Sequence, residues 1–87
     1  MSEIWTASEE QDGLIIFDVL DEETQEVRQE QRYKEAIPLM LSLGGYSGPM
    51  CVLMQNYPLP WRFRKVGEHI YLDGPSIGVD NYHPITD

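Results

Sequence analysis

Asp18, Asp21, Glu22, Glu23, Glu26 and Glu30 set six carboxylates within thirteen residues, the densest group in the chain of side chains that could act together. Their chemistry would be electrostatic. Alternate residues on a strand lie about 6.6 Å apart, so strands flanking a turn at Glu22-Glu23 would lay out a row of negative charge fit for a groove built to hold phosphates. Arg28 and Arg32 interrupt that row, which makes it an irregular nucleic-acid mimic. Blocking a basic protein surface does not require a regular one. The competing reading of the same residues is a solvated face that keeps a small protein soluble.

Other reactive groups are scarce. A single Cys51 forms no internal disulfide, which agrees with a reducing compartment. Cys51, His69, His83 and the carboxylates have no spacing typical of a zinc site, so neither metal nor cofactor is expected. Cys51 lies in the apolar run Met50-Cys51-Val52-Leu53-Met54, an environment that suits an inert packed thiol better than a nucleophile. Ser42-Leu43-Gly44-Gly45 and Gly45-Tyr46-Ser47-Gly48 match neither the Walker nor the dinucleotide fingerprint, and they follow a helical pattern where those motifs follow a strand. Nothing assembles a nucleophile, a base and a pocket, so the expectation is a binding protein and not an enzyme.

The acids are segregated along the chain. Residues 1–35 hold eleven of the fifteen Asp and Glu against Arg28, Arg32 and Lys34, whereas residues 36–67 hold only Arg62, Arg64 and Lys65. The formal net charge is −9. Like charges repel in the compact state, so such crowding does nothing for folding and points to a basic partner. With 41% hydrophobic residues in 87, the chain is long enough for one domain with one core, and the acidity does not signal disorder. Met1-Ser2-Glu3-Ile4 lacks the character of a secretory signal and no apolar run reaches the ~18 residues of a membrane span. The expected setting is the cytoplasm, with no membrane and no direct nucleic-acid binding.

Antiparallel strands must position these residues. Leu14–Leu20 is rich in β-branched and aromatic side chains and reads as a strand, joined through the turn dipeptide Asp12-Gly13 to a strand at Ile4–Ser8. Glu26–Glu30 has helical propensity but no apolar stripe, and reads as an edge strand whose charges discourage foreign pairing. Tyr33, Ala36, Ile37, Met40, Leu41 and Leu43 follow the spacing of an amphipathic helix. Pro38 restricts the regular helix to a start near Glu35, and Gly44-Gly45 stops it. Met50–Met54 reads as a buried strand ended by Asn56-Tyr57-Pro58-Leu59-Pro60. Trp61–Val66 and His69–Asp73 form a hairpin around Gly67-Glu68. A two-residue type II′ turn there sets Val66 opposite His69, Lys65 opposite Ile70, Arg64 opposite Tyr71, Phe63 opposite Leu72 and Arg62 opposite Asp73. Trp61, Phe63, Ile70 and Leu72 then share the core face, while Arg62–Asp73 and Arg64–Tyr71 become cross-strand neighbours on the other. The fold class is α+β, a mostly antiparallel sheet of four to six strands with one short amphipathic helix on one face.

Pro58-Leu59-Pro60-Trp61-Arg62-Phe63, with the hairpin ending Tyr71-Leu72-Asp73-Gly74, resembles a module of small phage and prophage proteins. Short acidic single-domain chains are also similar in style to phage-encoded inhibitors of host defence, including anti-restriction and anti-CRISPR proteins. The resemblance implies a phage or mobile-element setting and a host-cytoplasmic site of action, and it carries over no site residue. The favoured expectation is an inhibitor whose acidic hairpin docks on the basic site of a nucleic-acid-binding protein or complex, with Asp18, Asp21, Glu22, Glu23, Glu26 and Glu30 as contacts. Tyr46, Tyr57 or Tyr82 would serve as aromatic anchors. An immunity protein or antitoxin for a basic nuclease uses the same physics. A structural or assembly subunit, monomer or dimer, would instead use the Met40, Met50 and Met54 region as its interface.

Overall fold

The computed structural model describes residues 1–46 and 49–73, with Pro49, Met50 and Asp73 described by backbone alone. Five strands form one antiparallel sheet: β1 (Ser2–Gln11), β2 (Leu14–Asp21), β3 (Val27–Tyr33), β4 (Trp61–Val66) and β5 (His69–Asp73), in the spatial order β3-β2-β1-β4-β5. A 3-10 turn at Lys34–Ala36 leads into α1 (Ile37–Leu43), and α2 (Pro49–Gln55) follows. The fold is α+β. None of its helices, among the described residues, is long and apolar enough to cross a membrane.

Alternation along the strands decides which face is the core. Trp5, Ala7, Ile15, Phe17, Val19, Trp61, Phe63, Ile70 and Leu72 point to one side and are buried there with Ile37, Leu41, Tyr46, Cys51 and Met54 from the helical layer. Four rings on the three central strands touch edge to face or stacked, with Trp5–Phe17 at 5.4 Å, Trp5–Phe63 at 5.6 Å and Phe17–Trp61 at 5.8 Å. Such pairs add about 0.5–1.5 kcal/mol each beyond the area they bury.

Asp12 (φ 51°) and Gly13 (φ 82°) both take positive φ in the β1–β2 turn, as a tight hairpin requires. A bulge at Ser8 interrupts this ladder, its Oγ donating to the Ile16 carbonyl at 3.1 Å. Beyond the bulge the register brings Glu10 opposite the core residue Ile15, on the inner side. The β4–β5 register is the one expected from the two-residue turn, with Gly67 alone at positive φ there.

Two expectations are corrected. Met50–Met54 is helical, part of α2, not a buried strand. A short apolar run satisfies either structure; here Cys51 and Met54 are buried, at a helical spacing of three, while Val52 and Leu53 face solvent. Tyr33 is not on a helix face. It is the last residue of β3, opposite Leu14, and is largely exposed. The helix itself begins as anticipated, with a 3-10 turn at Glu35 and Pro38 in the first turn of α1, where its missing N–H costs nothing.

The two sheet edges differ. On β5 the outward N–H of Ile70 donates to the Gly44 carbonyl at 3.1 Å, and that of Leu72 to the Tyr46 hydroxyl at 3.2 Å. The segment after α1 therefore closes this edge. Among the described residues β3 is the edge with no neighbouring strand, and it carries alternating Arg, Glu and Gln, as expected of a protected edge. Closure demands a glycine at position 44, because a Cβ there would meet Ile70 Cδ1 at 2.4 Å. Gly44→Ala is expected to destabilise the fold by about 1–3 kcal/mol, the usual cost of overpacking. A shift of the urea midpoint reads this out, accompanied by faster amide exchange at Ile70 and Leu72 than at Phe63.

Candidate functional site

The six candidate carboxylates do not form one row. Asp18 pairs in register with Gln29, and Phe17 with Glu30, so Asp18 lies on the outer face and Glu30 on the inner. Asp21, Glu22, Glu23 and Glu26 gather at one end of the sheet, in and around the β2–β3 turn. Two of these have structural work. Asp21 accepts the Glu23 N–H at 2.9 Å and the Thr24 N–H at 3.3 Å, holding the turn in shape. Glu22 accepts a hydrogen bond from the Ser2 hydroxyl and pairs with Arg64 at 3.0 Å. Arg64 lies opposite Tyr71, as the hairpin register requires, and it also pairs with Glu22 of the β2–β3 turn. Glu23 reaches the amino terminus at 3.4 Å across exposed surface. Glu26 is exposed and has no ion pair among the described residues.

Arg28 and Arg32 are not interruptions of an outward row. With Glu3 and Glu30 they cover the part of the inner face nearest β3. Arg28 bonds Glu3 at 2.8 Å and Glu30 at 2.9 Å, Arg32 bonds Glu30 at 3.2 Å, and their guanidinium carbons lie 5.9 and 5.2 Å from the Trp5 ring centroid. Stacking of cations on an indole is favourable, so the arginines extend the roof over Trp5. The Arg28 guanidinium holds the Glu3 carboxyl below the usual carboxylate range against the opposing effect of burial, and Arg28 and then Arg32 do the same for Glu30.

Sequence reasoning missed several acids. Glu68, in the β4–β5 turn, lies at the same sheet end as Glu22 and Glu23, since Gly67 N–H bonds the Met1 carbonyl and Glu22 N–H the Ser2 carbonyl. Glu9, Glu10, Asp12 and Glu35 occupy the opposite end, where Lys34 bonds Glu10 at 3.3 Å and its N–H bonds the Gly13 carbonyl. The signal for this second group was the hairpin turn at Asp12-Gly13, which already placed Glu9 and Glu10 beside it.

The expected aromatic anchors also change. Tyr46 is 3% exposed and belongs to the core, with burial pushing its hydroxyl pKa up. Tyr57 is half-buried against the core, and Tyr82 lies outside the described residues. Among the described residues the exposed tyrosines are Tyr33 and Tyr71. Met54 is likewise core and Met40 packs against it, so they do not make an outward patch; the Met50 side chain lies outside what is described. Cys51 is buried, and desolvation raises its thiol pKa, which lowers the fraction of reactive thiolate at neutral pH. Among the described residues no three His, Cys, Asp or Glu side chains converge as metal ligands. His83 and the side chain of Asp73, expected beside Arg62, lie outside the described residues. Comparisons with protein-family models, curated proteins and solved structures find no match to this chain.

The acidic arm of the arginine roof gives a pH dependence of known sign. Carboxyls with lowered folded pKa stabilise the fold above their unfolded value, near 4.5, and that contribution is lost as pH falls through the folded pKa. The wild-type chain should therefore lose more stability as pH falls below about 5 than a Glu3→Gln/Glu30→Gln variant does. Denaturation midpoints measured on both proteins across that range check it, and parallel curves would contradict the assignment.

Proposed function

We propose that the protein acts by binding, as an inhibitor that lays its acidic sheet end on the basic nucleic-acid-binding surface of a host protein or complex. The supporting observation is how the charges are distributed. Arg28, Arg32, Lys34 and Arg64 are each engaged by carboxylates of this chain, whereas Glu9, Asp12, Asp18, Asp21, Glu26, Glu35 and Glu68 form no ion pair among the described residues. The surplus of negative charge is thus carried by groups that fold stability does not use as ion partners. Carboxylates at a partner's phosphate site would speed encounter and exclude competing DNA or RNA.

The β2–β3 turn is the centre of this surface, with Glu23 and Glu26 as its contact residues and Glu68 beside them. Asp21 shapes the turn and Glu22 anchors it to β1 and β4. Glu30 belongs to the arginine roof, and Asp18 lies on the outer face of the sheet. The phage or mobile-element setting rests on the resemblance of the Pro58–Phe63 segment and its hairpin. A nuclease immunity role would use the same surface, and the captured partner's identity separates the two.

Glu23→Gln/Glu26→Gln should fold normally and weaken binding to a basic partner captured from host lysate several-fold, chiefly through a slower on-rate, since rim charges act mainly there. Wild-type complex should release at moderate salt, and DNA or RNA should compete with it. Association kinetics at low ionic strength test the reading; rates unchanged by the double substitution would sink it.

A further inference from the structure

Between the end of α1 and the β4–β5 hairpin lies a cleft of about 360 Å³, lined by Trp5, Arg32, Met40, Leu43, Gly44, Phe63, Lys65, Glu68 and Ile70. Its floor is the stacked pair Trp5 and Phe63 on the inner face of β1 and β4. Met40 and Leu43 from the last turn of α1 and Ile70 from β5 make apolar walls, and Leu43 is 75% exposed at the mouth. Trp5 and Phe63 are themselves 4% and 1% exposed, so the surface the cleft offers to solvent comes from its walls and rim, Leu43 above all.

Two of the three charged groups lining the cleft are basic, although the protein as a whole is acidic. Arg32 and Lys65 enter from opposite sides of β1, on β3 and β4. Arg32 shares its charge with Glu30 at 3.2 Å. Lys65 lies opposite Glu3 in the β1–β4 register, but the Glu3 carboxylate already accepts hydrogen bonds from Arg28 and from the Trp5 indole N–H. Lys65 is attracted by Glu3 and, after Arg28, helps hold its carboxyl low, but it forms no ion pair or hydrogen bond at contact distance among the described residues, beside an apolar floor, in a chain of net charge −9. An ammonium so placed is a ready partner for an external anion. Glu68 is the one acid lining the cleft.

We infer that this cleft binds a small anionic amphipath, a carboxylate on a flat aromatic or branched aliphatic body, with Lys65 holding the carboxylate and Met40, Leu43 and the exposed edge of Ile70 holding the body. The volume falls at the lower end of small-molecule sites of about 300–1,000 Å³, which limits the body to roughly one fused ring system. Arg32 supplies a second, weaker attraction. Glu68 opposes the ligand's charge and tunes affinity downward. Glu68 borders both this cleft and the β2–β3 turn surface, but the ligand assignment neither requires nor supports the docking function proposed above.

Titration of indole-3-acetate and of its neutral amide into the isotope-labelled full chain tests the assignment. Saturable shifts are expected at the Trp5 indole N–H and the amides of Leu43, Gly44, Lys65 and Ile70, with the acid binding about tenfold more tightly than the amide, as one charge-assisted hydrogen bond would give. Lys65→Gln should bring the acid down to the amide's affinity, and Glu68→Gln should raise it. Both side chains are exposed, so both variants should keep the wild-type spectral dispersion; Arg62→Gln, on the outer face, should leave binding unchanged. Equal affinities for acid and amide, shifts that do not saturate, or a Lys65→Gln variant that still prefers the acid would each overturn the proposal.

Discussion

Contact among Trp5, Phe17, Trp61 and Phe63 is the constraint on which the rest of this structure depends. Four large rings on three adjacent strands leave one face of a small sheet that must be kept from water, and the two short helices do not reach across all of it. The chain completes the cover with two arginines lying over Trp5, tied down by Glu3 and Glu30. The core thus has a roof of two materials: apolar side chains where the helices lie, and paired charge where they do not. Long arginine stems can cover apolar surface while their heads remain in water, which is how a strand with almost no apolar residues still contributes to a core.

This division also organises the electrostatics. Cations drawn into the roof, into the Lys34–Glu10 pair and into the Arg64–Glu22 pair cannot neutralise the remaining acids. Those acids collect at the two ends of the sheet because turns are where a short sheet has polar surface to offer. Acidic composition and a sparing use of helices are therefore linked: the basic residues that would have balanced the surface are needed over Trp5 and at the turns.

What the sequence made legible is what local rules decide. In the Trp61–Asp73 hairpin, Gly67 fixes the turn, the turn fixes the register, and period-two alternation assigns Trp61, Phe63, Ile70 and Leu72 to the core. Asp12-Gly13 likewise marked the first hairpin, and the polar segment before Arg32, though helical by propensity, read better as an edge strand for want of an apolar stripe. Long-range matters were not legible. Whether Met50–Met54 is helix or strand depends on packing against α1. Tyr46 reads as a loop tyrosine until its hydroxyl is seen at the Leu72 N–H. Arg28 and Arg32 look like flaws in an acidic row when only their neighbours in sequence are considered; the ladder with β2 turns them inward, and the same alternation divides Asp18 from Glu30.

Closure of the β5 edge by Gly44 and Tyr46 gives the sheet a direction of growth. Since Ile70 and Leu72 have already given their outward N–H groups to the segment after α1, the edge that the described residues leave for an extended strand from another molecule is β3. Any such strand would have to run beside alternating arginine, glutamate and glutamine side chains. One flank of the molecule is sealed, and the other admits only a strand whose own charges fit.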